Sequence, residues 1–131
     1  MSQMKVCIIQ PLYSADYERS EDLFNWQLEA MDQCDECMDL IVLPEATSVP
    51  ALAKTLEQFH ASYEKYNEIV LNKASETAKR CHSVLFINAL YDSGKGLRNT
   101  TYAFDREGNV VGHYFKQHPT NGEVFKRKQG S

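Results

Sequence analysis

Three residues of this sequence have types and surroundings suited to acid–base and covalent chemistry. Glu45 stands directly after the apolar run Leu40-Ile41-Val42-Leu43 and a proline, Pro44. A carboxylate fixed at the end of a buried strand is partly desolvated, which raises its pKa towards the range useful for a general base. Lys116 closes the stretch Gly112-His113-Tyr114-Phe115-Lys116. An ammonium at such a strand end, pointed into a cleft, would stabilise an oxyanion or favour an ionised nucleophile. Glu123 follows in a polar segment, close enough in sequence to pair with Lys116. Taken singly, each is more commonly an ordinary solvated or capping side chain.

Covalent chemistry also calls for a nucleophile. The four cysteines, Cys7, Cys34, Cys37 and Cys81, are too few and too scattered for a disulfide scaffold and read as reduced thiols. Cys34-Asp35-Glu36-Cys37 has the CxxC spacing of redox and zinc sites. No second CxxC or paired histidines follow it, and two acids between the thiols raise a cysteine pKa rather than lower it. The motif therefore reads as the end of a helix.

The elements that must position these groups follow from periodicity. Lys5-Val6-Cys7-Ile8-Ile9-Gln10, closed by Pro11, suits a buried opening strand. From Ser20 to about Cys37 apolar residues recur at helical intervals, with Ser20 as a cap and Glu21 and Asp22 in the first turn. Asp39 to Leu43 is a second buried strand. This β-α-β order implies a parallel pair with a right-handed crossover. The segment from Pro44 to Pro50 is then a loop at the carboxyl end of a parallel strand, where α/β proteins usually keep their chemistry.

Ala51 to His60 is compatible with a short helix, and Tyr63 to Cys81 with a longer one whose stripe is Tyr66, Ile69, Val70, Ala74 and Ala78. Ser83 to Leu90 is a third strand, followed by the turn Asp92-Ser93-Gly94-Lys95-Gly96. Asn99 to Phe104 and Val110 to Phe115 flank a polar loop containing Gly108, the signature of an antiparallel hairpin. The expected fold class is α/β, a mixed sheet with helices on one face. The segment from Gln117 to Ser131 has only Val124 and Phe125 as large apolar side chains and does not complete a core.

Composition sets the outer bounds. The chain has 131 residues, 43% of them apolar and 24% charged, which excludes disordered and fibrous classes. A net charge of −4 without a basic face argues against nucleic acid as a partner. No stretch reaches the roughly 18 apolar residues of a membrane span, and Met1 to Lys5 lacks a signal-peptide core. The expectation is a cytoplasmic protein without membrane attachment.

Taken in order, these segments resemble the carbon-nitrogen hydrolase (nitrilase) superfamily from Met4 to about Glu123. The resemblance rests on Val6 to Gln10, Asp39-Leu40-Ile41-Val42-Leu43-Pro44-Glu45, the hairpin from Asn99 to Gly108, and Gly112-His113-Tyr114-Phe115-Lys116-Gln117-His118. The resemblance implies a partial nitrilase-like α-β-β-α sandwich and cleavage of non-peptide C–N bonds in a small-molecule amide, nitrile or carbamoyl substrate. It gives Glu45 the role of general base and makes Lys116 the stabiliser of the tetrahedral intermediate. Glu123 becomes the second glutamate, orienting Lys116 or substrate. No metal or organic cofactor is implied.

In that family the cysteine nucleophile follows the lysine by some tens of residues, whereas all four cysteines here precede Lys116 and fifteen residues follow it. Residues 1–131 are therefore expected to form one incomplete domain, the N-terminal half of such a hydrolase, inactive alone. The expected partners are a homo-oligomer or a complementing C-terminal half. The alternative is a non-catalytic interaction module that pairs with a full-length relative through its open sheet edge.

Overall fold

The computed structural model describes residues 3–10, 12–44 and 46–115. Among the described residues five strands and two long helices alternate and then give way to hairpins. They are β1 (Val6–Ile8), α1 (Ser20–Asp32), β2 (Leu40–Leu43), α2 (Leu56–Cys81), β3 (Val84–Asp92), β4 (Leu97–Phe104) and β5 (Val110–Phe115), with a 3-10 turn at Tyr17–Arg19 before α1. The strands form one sheet in the order β1-β2-β3-β4-β5. β1, β2 and β3 run parallel, whereas β3–β4 and β4–β5 are antiparallel. The expected α/β class and mixed sheet are thus present, and both helices pack on one face.

Alternation along the strands decides which face that is. Ile41, Leu43, Leu85, Ile87, Ala89, Tyr102 and Phe104 form the principal core with Phe24 and Met31 of α1 and Tyr66, Val70, Ala74, Ala78 and Cys81 of α2. The small side chains Ala74 and Ala78 let α2 lie close to the sheet, and both are fully buried. Phe24 and Tyr66, with ring centroids 4.3 Å apart, join the two helices. At about 25 cal/mol per Å², each large side chain buried here contributes roughly 1.5–3 kcal/mol.

The helix ends differ from the sequence expectation in instructive ways. α1 stops at Asp32 rather than near Cys37, because Arg80 of α2 donates to the carbonyls of Cys34 at 2.7 Å and Met31 at 2.9 Å. A guanidinium thus satisfies carbonyls that another helical turn would have used. Ser20 begins the helix but does not cap it; its hydroxyl donates to Tyr17 O at 2.6 Å.

The two expected helices between Ala51 and Cys81 are one helix of 26 residues starting at Leu56. Thr55 caps it, accepting from Gln58 N–H at 3.1 Å, and the Gln58 side chain accepts from Lys54 N–H at 2.8 Å. This reciprocal pair fixes the start of the helix and excludes residues 51–54 from it. The other end turns on His82, whose φ of 52° is left-handed, while Ser83 N–H returns to Ala78 O at 3.0 Å.

Gly108 anchors the last hairpin to α2. Its φ is +84°, and an added Cβ would lie 2.7 Å from the Ser75 carbonyl oxygen. The Ser75 hydroxyl donates to Gly108 O at 2.6 Å. Glycine is required both by the backbone angle and by the closeness of the helix.

The face of the sheet turned away from the helices is apolar yet open. Ile8 is 64% exposed and Tyr114 61%. Val6 is also exposed, while Leu40, Val42, Val84 and Phe86 are half-buried. Among the described residues no helix is long and apolar enough to cross a membrane.

Candidate active site

The parallel order of β1 to β3 and the double reversal through β4 make β2, β3 and β5 point the same way. Their carboxyl ends therefore share one edge of the sheet. The register makes this specific: Leu43 pairs with Ile87, Ile87 with Tyr102, and Tyr102 with His113. β2 ends one residue before Pro44, and β5 ends at Phe115. These strand ends lead to Glu45 and Lys116. Glu45, Lys116 and Glu123 themselves lie outside the described residues.

β3 and β4 separate the two strand ends. With neighbouring strands about 4.8 Å apart, β2 and β5 stand roughly 14 Å from each other at this edge. Between those strand ends, Asn88 of β3 shares a face with Asn99 and Thr101 of β4, and Asn88 Nδ2 donates to Asn99 Oδ1 at 2.7 Å.

The loop after Glu45 is held firmly. Thr47 donates to Asn88 O through its N–H at 2.9 Å and its hydroxyl at 2.8 Å. Ser48 donates to Asn67 Oδ1. Thr47 and Ser48 are fully buried, and Val49 and Ala53 pack with Phe59, Leu90 and Leu97 in a second apolar cluster. Sequence reasoning passed over Thr47, Ser48 and Asn67. The one available signal was a polar Asn67 between Tyr66 and Val70, on the stripe that α2 buries.

Beyond the other strand end, aromatic rings gather on the opposite face. Tyr91 stacks on His113 with centroids 5.2 Å apart, and Phe115 lies 5.5 Å from His113. The Arg98 guanidinium sits 3.8 Å over the Phe115 ring. This cation–π contact braces the last residue of β5 before position 116.

The cysteines occupy other ground. Cys34 follows α1 and precedes β2, and Cys81 ends α2 just before β3, so both lie towards the amino ends of the parallel strands. Burial pushes the Cys34 thiol up to about 12, helped by Cys7 beside it, and burial also raises that of Cys81. Thiols so protonated at neutral pH are poor nucleophiles. Cys34 is buried and Cys37 exposed, in keeping with a chain segment leaving a helix. Among the described residues no group of three His, Cys, Asp or Glu side chains is placed to hold a metal ion.

A family model for carbon-nitrogen hydrolases matches residues 5–130, almost the whole sequence. The chain belongs to the carbon-nitrogen hydrolase family. Solved structures agree on the fold of this family. A carbon-nitrogen hydrolase from Helicobacter pylori G27 is 20% identical with a TM-score of 0.68; the match covers 98% of this chain and 45% of that one.

An amidase of the nitrilase superfamily from Nesterenkonia, solved as a cysteine-to-serine mutant, is 18% identical with a TM-score of 0.61, covering 92% of this chain and 46% of that one. A structure described as an N-terminal amidase is 14% identical with a TM-score of 0.68, covering 94% and 30% respectively. The chain thus spans less than half the length of these carbon-nitrogen hydrolases. A search of curated proteins finds no match.

Proposed function

We propose that this chain is the N-terminal half of a thiol-dependent carbon-nitrogen hydrolase acting on small amides, with nitriles and carbamoyl compounds as the neighbouring substrate classes. The observation that carries this reading is the shared edge at which β2 and β5 end, within a chain of this family. Glu45 is the general base, Lys116 stabilises the oxyanion, and Glu123 orients Lys116 or substrate. The related Nesterenkonia amidase has an active-site cysteine to which acrylamide adds.

By analogy the nucleophile here is a cysteine outside this sequence. Glu45 takes the thiol proton, and the thiolate attacks the amide carbon. Lys116 faces the oxygen as it becomes negative, the C–N bond breaks with proton return to the amine, and water then hydrolyses the thioester. None of these steps uses a metal or organic cofactor. The protonated, buried state of Cys34 and Cys81 supports leaving them out of the reaction. Free thiols throughout favour a reducing compartment such as the cytoplasm.

The open apolar face supports a complementing C-terminal half as the partner, with a second sheet packed about 10 Å away. It also supports the second reading, a non-catalytic module that pairs with a full-length relative or with another copy. In that reading the exposed edge strand β5, where Val111 is 65% exposed, supplies the contact.

The coding sequence beyond Ser131 tests the hydrolase reading. A segment with the order strand, cysteine, helix is expected there, and the chain extended through it should release ammonia from short aliphatic amides. Turnover by the 131-residue chain alone, persisting with every cysteine alkylated, would overturn the mechanism.

A further inference from the structure

β2 stops at Leu43, opposite Ile87, but β3 continues to Asp92. Past Ile87 the β3 edge that faced β2 still presents backbone groups, and buried groups of that kind must find partners. Thr47 satisfies Asn88 O. The Asn67 carboxamide then takes both groups of one residue: its Oδ1 accepts from Leu90 N–H at 3.0 Å, and its Nδ2 donates to Leu90 O at 3.0 Å.

Ser48 adds its hydroxyl to the same Oδ1. One side chain of α2 therefore replaces a missing strand and ties the loop after Glu45 to β3. Asn67 is 9% exposed and Ser48 fully buried, so little water competes for these bonds.

We propose that Asn67 is a positioning residue for the general base: through Ser48 it fixes the loop 46–50, which follows Glu45 directly in the chain. The role of the clamp rests on the assignment of Glu45 under the proposed function. A core asparagine serving stability alone would affect the whole molecule evenly. A positioning residue affects one loop and one carboxyl group.

The test is amide hydrogen exchange and a carboxyl pH titration by NMR on the 131-residue chain. The variants are Asn67→Ala, Ser48→Ala and Val70→Ala, the last a core truncation on the same helix. In the first two, Thr47 N–H is expected to lose protection by on the order of tenfold. Ile41 and Leu85 should keep theirs, and the Glu45 titration midpoint should move.

Val70→Ala should lower protection throughout and leave the Glu45 midpoint in place. An unmoved Glu45 midpoint, or a protection pattern in Asn67→Ala identical to that of Val70→Ala, overturns the proposal. If Asn67→Ala does not fold, Ser48→Ala decides, because it cuts the loop link and spares both bonds to Leu90. The hydrolase reading fails separately: an extended chain that remains fully active with Glu45→Gln sinks that reading and leaves the exchange pattern untouched.

Discussion

Leu43 and His113 occupy one continuous row of the sheet, linked by Ile87 and Tyr102, although seventy positions separate them in sequence. The row places the carboxyl ends of β2 and β5 at a common edge, and the chemistry proposed for Glu45 and Lys116 depends on it.

In a chain extended to include the nucleophile, Glu45→Gln and Lys116→Ala should each reduce kcat/KM for a short amide by at least about 10²-fold, the usual contribution of a general base or an oxyanion donor. The double variant should lose little more than the worse single one, because the residues act as a unit. Steady-state ammonia release measures both, and fully additive losses would argue against a shared site.

Tyr102 donates to Leu90 O at 2.8 Å, and burial pushes its phenol up to about 12. Its folded pKa is raised above the unfolded value near 10, so the stabilisation is fully present below about pH 10 and is lost as pH rises through about 12. Tyr102→Phe should cost about 1 kcal/mol at neutral pH and weaken the decline in stability above pH 10. Urea unfolding at a series of pH values would show this; an unchanged alkaline slope would count against it.

Gly108→Ala should destabilise the chain by roughly 1–3 kcal/mol, since it combines a positive φ with a Cβ driven against the Ser75 carbonyl. Gly94, with a φ of +86° but open space around it, should lose less on the same substitution. Denaturant midpoints for the pair separate the steric contribution from the backbone one.

Ile8→Lys and Tyr114→Glu should leave folding stability within about 0.5 kcal/mol, because both side chains are largely exposed. Yet each should weaken association with a complementing half or a second copy at least tenfold if the open face is the contact, an expectation that follows from burying an unpaired charge. Analytical ultracentrifugation of parent and variants is the measurement. Equal association in all three would place the contact elsewhere.

Thr55→Ala removes the cap of the 26-residue helix and should cost about 1 kcal/mol. Loss of helical circular dichroism at the onset of thermal unfolding would report it.

The sequence by itself settled a good deal. Apolar runs at Leu40 to Leu43 and at Val84 to Leu90, the second broken at Asn88, are too short for helices and read as strands, and the prolines and glycines around them marked where each must stop. Helical spacing from Leu23 to Met31 and from Tyr66 to Ala78 marked both helices, and right-handed crossovers between parallel strands put them on one face. The steps around Glu45 and Lys116 pointed to the family. These signals are legible because they arise from near-neighbour sterics and from the periodicity of burial.

Tertiary structure decided what depends on partners distant in the chain. α1 stops at Asp32 because Arg80, far along α2, takes the carbonyls of Met31 and Cys34. The start of α2 at Leu56 is different, because Thr55 and Gln58 cap it within three residues, a local signal that the short helix expected over Ala51 to His60 overlooked. Asn67 appears in the sequence as a polar interruption of an apolar stripe. It is a clamp only because β3 outruns β2, leaving Leu90 with backbone groups that no strand can reach. Hydrogen bonds between distant elements are fixed by packing geometry, and local residue patterns carry no record of them.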